Sequence, residues 1–184
     1  MKYITPMLET PRLILKRGTK EDYQKVYEYD FTKLRDIAGE FEYIKLPEES
    51  LIGFDTYADD YDNVYDWIVY LKDKLIPVAN ITADREVEEL KAIELAFNLH
   101  PKYWGSGIMK EAIISVIEYL FEQGYENILC GYSEGNIKSK KINEKIGFKL
   151  FSKIENSWYK NGIPITDYQT IISKKDFYSR NKTK

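Results

Sequence analysis

Lys102-Tyr103-Trp104-Gly105-Ser106-Gly107 stands between an apolar run, Leu95 to Leu99, and a long amphipathic pattern that begins at Ile108. Two glycines one residue apart at the mouth of a helix let the backbone turn tightly and pass close to a ligand. The first helical turn leaves its N–H groups without intrahelical partners, at the positive end of the helix dipole, so the junction is an anion cradle. Lys102, Tyr103, Trp104, Gly105, Ser106, Gly107 and Ile108 are the candidate holders of that anion. A phosphate loop of the Walker type needs Gly-Lys followed by Ser or Thr, and no Lys follows Gly107 directly. A dinucleotide fingerprint needs a third small residue where this chain has Lys110. What remains is a basic residue followed by Gly-x-Gly at a strand-to-helix junction, with an ordinary tight turn as the competing reading.

A second constellation lies one strand and one helix downstream. Glu134-Gly135-Asn136 leads into Ile137-Lys138-Ser139 and closes at Gly147-Phe148. Asn136 and Ser139 are at the spacing of a helix N-cap and the backbone N–H it accepts from. Lys138, Lys140 and Lys141 crowd the same turn, where they are either a solvated face or partners for phosphate. Other chemistries are restricted by counting. Cys130 is the only cysteine and His100 the only histidine, so no internal disulfide and no Cys/His zinc set is expected. Cys130 sits in the apolar run Ile128-Leu129-Cys130, where a buried, inert thiol is expected rather than a nucleophile.

The elements that must position these residues follow from patterning. Arg12 to Lys16 reads as a strand, and Thr19-Lys20-Glu21-Asp22 as a capping-box start to a helix through Val26 and Tyr29. Residues from about Asp30 to Asp62 have weak periodicity and suggest short helices and loops. Tyr65, Trp67, Val69 and Leu71 alternate with Asp66, Ile68, Tyr70 and Lys72, the period of a strand, and a turn at Lys72 to Lys74 leads to a second strand near Ile76 to Ala83. A third, near Lys91 to Leu99, completes an antiparallel meander. Ile108, Ala112, Ile113, Val116, Ile117, Leu120 and Phe121 share one helical face, and Gly124 ends that helix. Glu126 to Tyr132 then forms a strand reached by a helical crossover, hence parallel to the one before. A helix over Ile137 to Ile146 and a hairpin of Phe148 to Ile154 with Ile163 to Ile172, turning at Asn161-Gly162, complete the fold. Lys174 to Lys184 reads as a polar tail that frays.

Composition bounds the class. A chain of 184 residues with 43% hydrophobic residues suits one domain, residues 1–184, with a substantial core. Its formal net charge of −3 argues against an electrostatic nucleic-acid partner. No apolar leader and no run of about 18 uncharged apolar residues is present, so no membrane association is expected and a cytoplasmic location follows by default.

Taken together, the motifs resemble the GNAT superfamily of acyl-CoA N-acyltransferases, and within it the group that includes the ribosomal-protein alanine N-acetyltransferases. The resemblance rests on Leu8-Glu-Thr-Pro-Arg12-Leu-Ile-Leu, Glu94 through Gly107, Asn136 to Phe148, and Asn161-Gly162 with Asp167-Tyr168. Lys102 departs from the family's usual Arg or Gln, keeping the charge without the planar guanidinium. The resemblance implies an α+β fold, with a mostly antiparallel central sheet splayed between two parallel strands and flanked by helices. It implies acetyl-CoA as co-substrate and no metal. The pantetheine arm lies in the splay, backbone N–H groups from Tyr103 to Ile108 hold the diphosphate, and a strand N–H near Phe97 to Leu99 faces the thioester oxygen. Asn136 and Ser139 also face the cofactor. Glu94 is implied as the general base, because an amine with a reference pKa of about 10.4 must lose a proton before it attacks. Ser139 is implied as the donor to the leaving thiolate, with Tyr132 and Tyr103 as substitutes.

The acceptor is then an amine. Between Asp30 and Asp66 there are eleven Asp or Glu against three Lys or Arg, an acidic, tyrosine-rich stretch suited to a cationic amine or to a protein N-terminus or lysine in a basic setting. A solvated acidic loop is the competing reading. Because fold alone does not establish turnover, an inactive acyl-CoA-binding or regulatory module is the alternative to an enzyme. Trp158, Tyr159 and the closing hairpin could face substrate or a partner subunit, so the state is monomer or homodimer.

Overall fold

The computed structural model describes residues 3–28, 64–160 and 162–181. The short helices and loops expected from Asp30 to Asp62, and most of the acidic stretch, lie outside the described residues. The elements in chain order are β1 (Leu8–Glu9), β2 (Leu13–Lys16), α1 (Lys20–Tyr27), β3 (Tyr65–Leu71), β4 (Ile76–Val87) and β5 (Ala92–Leu99). There follow α2 (Ile108–Glu122), β6 (Asn127–Ser133), α3 (Ile137–Ile146), β7 (Lys149–Lys160), β8 (Ile163–Ser173) and α4 (Lys174–Asn181). They form a mixed α/β fold around one eight-stranded sheet of order β1-β2-β3-β4-β5-β6-β8-β7.

Every neighbouring pair in that sheet is antiparallel except β5 and β6. The exception has a chain-level cause: α2 carries the chain back across the sheet, so β6 starts at the same end as β5. Its register runs from Ala92 opposite Asn127 to Leu95 opposite Cys130 and stops there. Beyond it, Ala96 to Leu99 pair only with β4, and Gly131 to Ser133 pair only with β8. The two strands therefore part into a V whose facing backbone edges are unpaired with each other.

One sheet face is apolar. Trp67, Val69, Ile81, Ile93, Leu95 and Ile128 pack with Ile113, Val116, Ile117, Leu120 and Phe121 of α2, all buried. The helical stripe expected from the sequence is the stripe that is buried. The opposite face carries α1, whose Tyr23, Val26 and Tyr27 pack on Ile68 and Tyr70. That is why β3 is buried on both faces despite its alternating pattern. α1 begins with the expected capping box: the Asp22 N–H donates to Thr19 Oγ1 and the Thr19 N–H to the Asp22 carboxylate.

The hairpin strands are longer than expected, because β7 continues through an irregularity between Ile154 and Trp158, where Asn156 takes a φ of 54°. The chain end corrects the expectation of a frayed polar tail. Residues Lys174–Asn181 are helical, and Phe177, 1% exposed, packs edge-on against Phe121. A single buried aromatic among charged residues outweighs the polar composition that the sequence reading weighed. Phe177→Ala is expected to lower the unfolding free energy by about 3–5 kcal/mol in chemical denaturation; a loose tail would show no change.

Candidate active site

The glycine loop is built as the junction requires. Gly105 and Gly107 take φ of 77° and 78°, the left-handed region that side chains with a Cβ disfavour, and Gly107 is the N-cap of α2 with no side-chain cap. The N–H groups of Tyr103 and Trp104 donate to the carbonyls of His100 and Pro101 inside a short 3-10 turn. They are therefore committed internally, which corrects the expectation that the whole run from Tyr103 to Ile108 offers amides to an anion. Ser106 N–H reaches Tyr103 O at 3.3 Å, and Ile108 N–H reaches Ser106 Oγ at 3.4 Å. Gly105, Gly107, Met109 and Lys110 donate their N–H groups to no acceptor among the described residues. Four free donors at one helix mouth fit the diphosphate of a coenzyme A molecule. Lys102 is exposed beside them.

The two glycine-bearing motifs meet in space. Trp104 Nε1 donates to Leu99 O at 3.0 Å, folding the indole back on the end of β5, and Lys138 Nζ of α3 lies 3.9 Å from the centroid of that ring. Asn136 caps α3, its Oδ1 accepting from Ser139 N–H at 3.1 Å, as the spacing predicted. The cap leaves Asn136 Nδ2 and Ser139 Oγ without hydrogen bonds to described residues. Phe97 and Leu99 stand on the unpaired arm of β5, partly buried against the apolar core.

Glu94 stands one residue before the last parallel pair, on the polar sheet face, where Asp84 of β4 is its cross-strand partner. Its Oε1 accepts from Gln169 Nε2 of β8 at 3.1 Å, and Arg85 Nη1 lies 3.5 Å from its Oε2. Arg85 has a φ of 51°, at an irregularity in the β4–β5 register. Burial, with the nearby Glu94 charge adding and Arg85 opposing, holds the Asp84 carboxyl above its usual range. Gly131 sits opposite Gln169 in the β6–β8 register. A Cβ there would lie 2.8 Å from Gln169 Oε1 and 3.6 Å from Glu94 Oε1. The missing side chain is the gap through which Gln169 crosses β6 to reach Glu94.

The same face continues toward α1 with Asp66, Asn80, Thr82, Ala96 and Asn98, placed together by the β3–β4 and β4–β5 registers. Ala96 is exposed between Glu94 and Asn98, so the face opens there. Asn98 Nδ2 is buried with no partner among the described residues, a donor left for a ligand. Asp66, 2% exposed, has its carboxyl pushed up to about 6 by burial, while a hydrogen bond from Tyr23 and the Arg17 charge oppose the shift.

Tyr132 stacks on Tyr168 with centroids 5.2 Å apart, and burial, with Glu144 and Tyr168 nearby, raises its phenol, so it stays protonated at neutral pH. Asp167 gathers Ser133 Oγ at 2.6 Å, Ser157 Oγ at 2.6 Å and Trp158 Nε1 at 3.2 Å, tying the end of β6 to the closing hairpin. Trp158 is thus turned inward. Cys130 is buried as expected, its thiol pushed up to about 12 by desolvation. His100 is tied into the turn, its Nδ1 accepting from Lys102 N–H and its Nε2 lying 3.1 Å from Glu28 O. Gln169, Asp84 and Arg85 escaped the sequence reading, and only Gly131 beside Tyr132 hinted at them. Among the described residues no group of three or more His, Cys, Asp or Glu could hold a metal, and no helix is long and apolar enough to cross a membrane.

A sheet that parts beside a glycine-loop helix is the architecture of acyl-CoA N-acyltransferases, and comparison with known proteins agrees. The chain belongs to the acetyltransferase (GNAT) domain family, whose pattern it matches over residues 12–149. It is 23% identical over 176 residues to the uncharacterized N-acetyltransferase YoaA of Bacillus subtilis, covering 93% of this chain and 99% of that protein. A ribosomal-protein-S5-alanine acetyltransferase from Vibrio fischeri superposes with a TM-score of 0.70 at 19% identity, over 94% of this chain and 98% of that one. A spermidine N-acetyltransferase chimera from Vibrio cholerae superposes with a TM-score of 0.72 at 16% identity, over 92% of this chain and 99% of that one. The protein is therefore a GNAT-type acyltransferase with an acyl-CoA co-substrate and an amine-bearing acceptor.

Two predictions follow from this geometry. Gly131→Ala folds but pushes the Gln169 amide off Glu94, and the side-chain amide resonances of Gln169 shift in an NMR spectrum; unshifted resonances would show that the gap is not used. The second concerns Asp66. Its folded pKa of about 6 lies above the unfolded value of about 3.9, so the native state binds the proton more tightly and stability falls as pH rises from about 4 to about 7. Asp66→Asn removes that loss, and the melting-temperature difference between variant and wild type should grow in the variant's favour across this window.

Proposed function

We propose that this protein transfers the acetyl group of acetyl-CoA to a primary amine by direct attack in a ternary complex. The observation that carries the reading is the parting of β5 and β6 directly after Leu95 and Cys130, with Glu94 on its rim and four free amides at its end. An amide-bearing arm laid in that gap pairs with the exposed strand edges as another strand would. Acetyl-CoA supplies the thioester carbonyl. Gly105, Gly107, Met109 and Lys110 hold its diphosphate, and Lys102, Lys138, Lys140 and Lys141 supply positive charge around it. Asn136, through Nδ2, and the β5 edge from Phe97 to Leu99 orient the arm.

Glu94 takes the proton of the incoming amine, directly or through water, as the nitrogen bonds to the carbonyl carbon. Gln169 and Arg85 hold the carboxylate in place. When the carbon–sulfur bond breaks, the thiolate takes a proton from Ser139, or from Tyr132 or Tyr103 in its place. Ser139 Oγ is free of described partners, and Tyr132 keeps its proton through burial. The acceptor is a small cationic amine, or a protein N-terminus or lysine, which Asp66, Asp84 and Glu94 along one sheet face would attract. The fold neighbours named for a ribosomal-protein alanine and for spermidine are consistent with both. The cytoplasm, where acetyl-CoA and such amines coexist, is the compartment that suits this activity.

Thiol release from acetyl-CoA across a panel of amines tests the proposal. Glu94→Gln is expected to lower kcat/KM by about a hundredfold or more, the range of general-base contributions. Ser139→Ala, Tyr132→Phe and Tyr103→Phe separate the three acid candidates, the true donor losing kcat at unchanged acetyl-CoA affinity. If acetyl-CoA binds but no amine accelerates thiol release, the chain is a binding module.

A further inference from the structure

Arg12, immediately before β2, lies 94 positions from the glycine loop in sequence yet is bonded to it. Its Nη1 donates to Ser106 O at 3.1 Å, and its Nε lies 2.6 Å from Glu111 Oε2 in the first turn of α2. Its own N–H donates to Glu111 Oε1 at 3.0 Å, and Thr10 Oγ1 donates to the same oxygen at 2.5 Å. The backbone that carries the guanidinium is itself fixed. Thr10 N–H donates to Leu13 O, Leu13 N–H to Thr10 Oγ1, and Lys72 N–H of the neighbouring turn to Arg12 O. The side chain is half exposed and contributes little to the core.

Ser106 O and the Gly107 N–H belong to one planar peptide unit and point in opposite directions. Pinning the carbonyl toward Arg12 therefore aims the Gly107 N–H outward, and that amide is one of the four without an acceptor. Glu111 adds a second requirement. A carboxylate in the first helical turn competes with a bound anion for the positive end of the dipole unless its charge is balanced. Burial works against ionisation, yet the Thr10 hydroxyl and Arg12 hold the Glu111 carboxyl below its usual range, so the charge is present and Arg12 balances it.

Resting on the cofactor reading above, we infer that Arg12 is a positioning residue for the diphosphate of coenzyme A: it sets the Ser106–Gly107 peptide plane and neutralises Glu111 from beneath the loop. Lysine cannot replace it, since one ammonium on a flexible stem lacks the planar fork that serves Glu111 and Ser106 together.

Titration calorimetry with coenzyme A, and NMR titration with pantetheine, which lacks the diphosphate, provides the test on wild type, Arg12→Lys and Arg12→Ala. Coenzyme A affinity should fall about tenfold in Arg12→Lys and further in Arg12→Ala, the scale of one lost charge-assisted hydrogen bond, while pantetheine affinity stays at wild-type level. In steady-state kinetics KM for acetyl-CoA rises with kcat unchanged at saturation. Equal coenzyme A affinity in wild type and both variants would overturn the assignment while leaving the cofactor site standing. Proportional loss of both ligands would overturn it in favour of general loosening of the fold. A wild-type protein that does not bind coenzyme A would remove the cofactor reading, and this inference with it.

Discussion

The parallel contact between β5 and β6 holds for four residue pairs and then fails, and the rest of the structure is arranged around that failure. Two strands that run side by side normally satisfy each other's backbone groups; here the outer arms satisfy only one side each, through β4 and through β8. Unpaired backbone polar groups are costly unless water or a ligand meets them. Several contacts keep the arms from closing. Trp104 caps Leu99 O, Asn143 and Thr170 both donate to Cys130 O at the point of parting, and Asp167 anchors Ser133 to the closing hairpin. The helices α2 and α3 each start just past one arm, so both helix mouths open on the same gap.

The sheet separates stability from chemistry by face. Leucine, isoleucine, valine and aromatic residues of one face pack on α2, with α4 sealing the edge through Phe177. The other face carries α1 at one end and a row of polar groups from Asp66 to Gln169 across the remaining strands. Burying carboxylates there is unfavourable, and the raised pKa values of Asp66 and Asp84 record that cost. Such a row is tolerable where its groups are paired, as Glu94 is with Gln169 and Arg85 and Asp66 with Tyr23. Asn98 and the exposed Ala96 mark where the row opens to an incoming molecule.

The glycine loop shows how a local motif depends on distant support. Its two left-handed glycines permit the turn, but permission does not select one orientation for each peptide plane. Arg12 and Glu111 do so from below, and Lys138 lies on Trp104 from the side of α3. Two segments far from the loop in the chain, with the helix that follows it, thus converge on six residues. A loop preorganised in this way loses little entropy on binding, which favours affinity for a charged, flexible ligand.

Much of this was legible from residues alone. Periodicity located the strands from Leu13 to Leu99 and the buried stripe of α2, and glycine and capping signals marked the mouths of α2 and α3, because those rules act over a few neighbouring positions. The same pattern put Glu94 on its strand, but its reading as the base came from the resemblance to acyl-CoA N-acyltransferases. Gln169, Arg85 and Asp84 did not, since their meeting with Glu94 depends on sheet register and on a gap at Gly131 that has meaning only once β8 lies beside β6. Nor did the helix at Lys174–Asn181, whose one buried ring needs Phe121 opposite it. Local sequence determined which elements form and which turns present amides; tertiary structure alone decided where two parallel strands separate, which loop amides are already committed, and which distant charges steady the remainder, because long-range pairing sets what each group has left to bond.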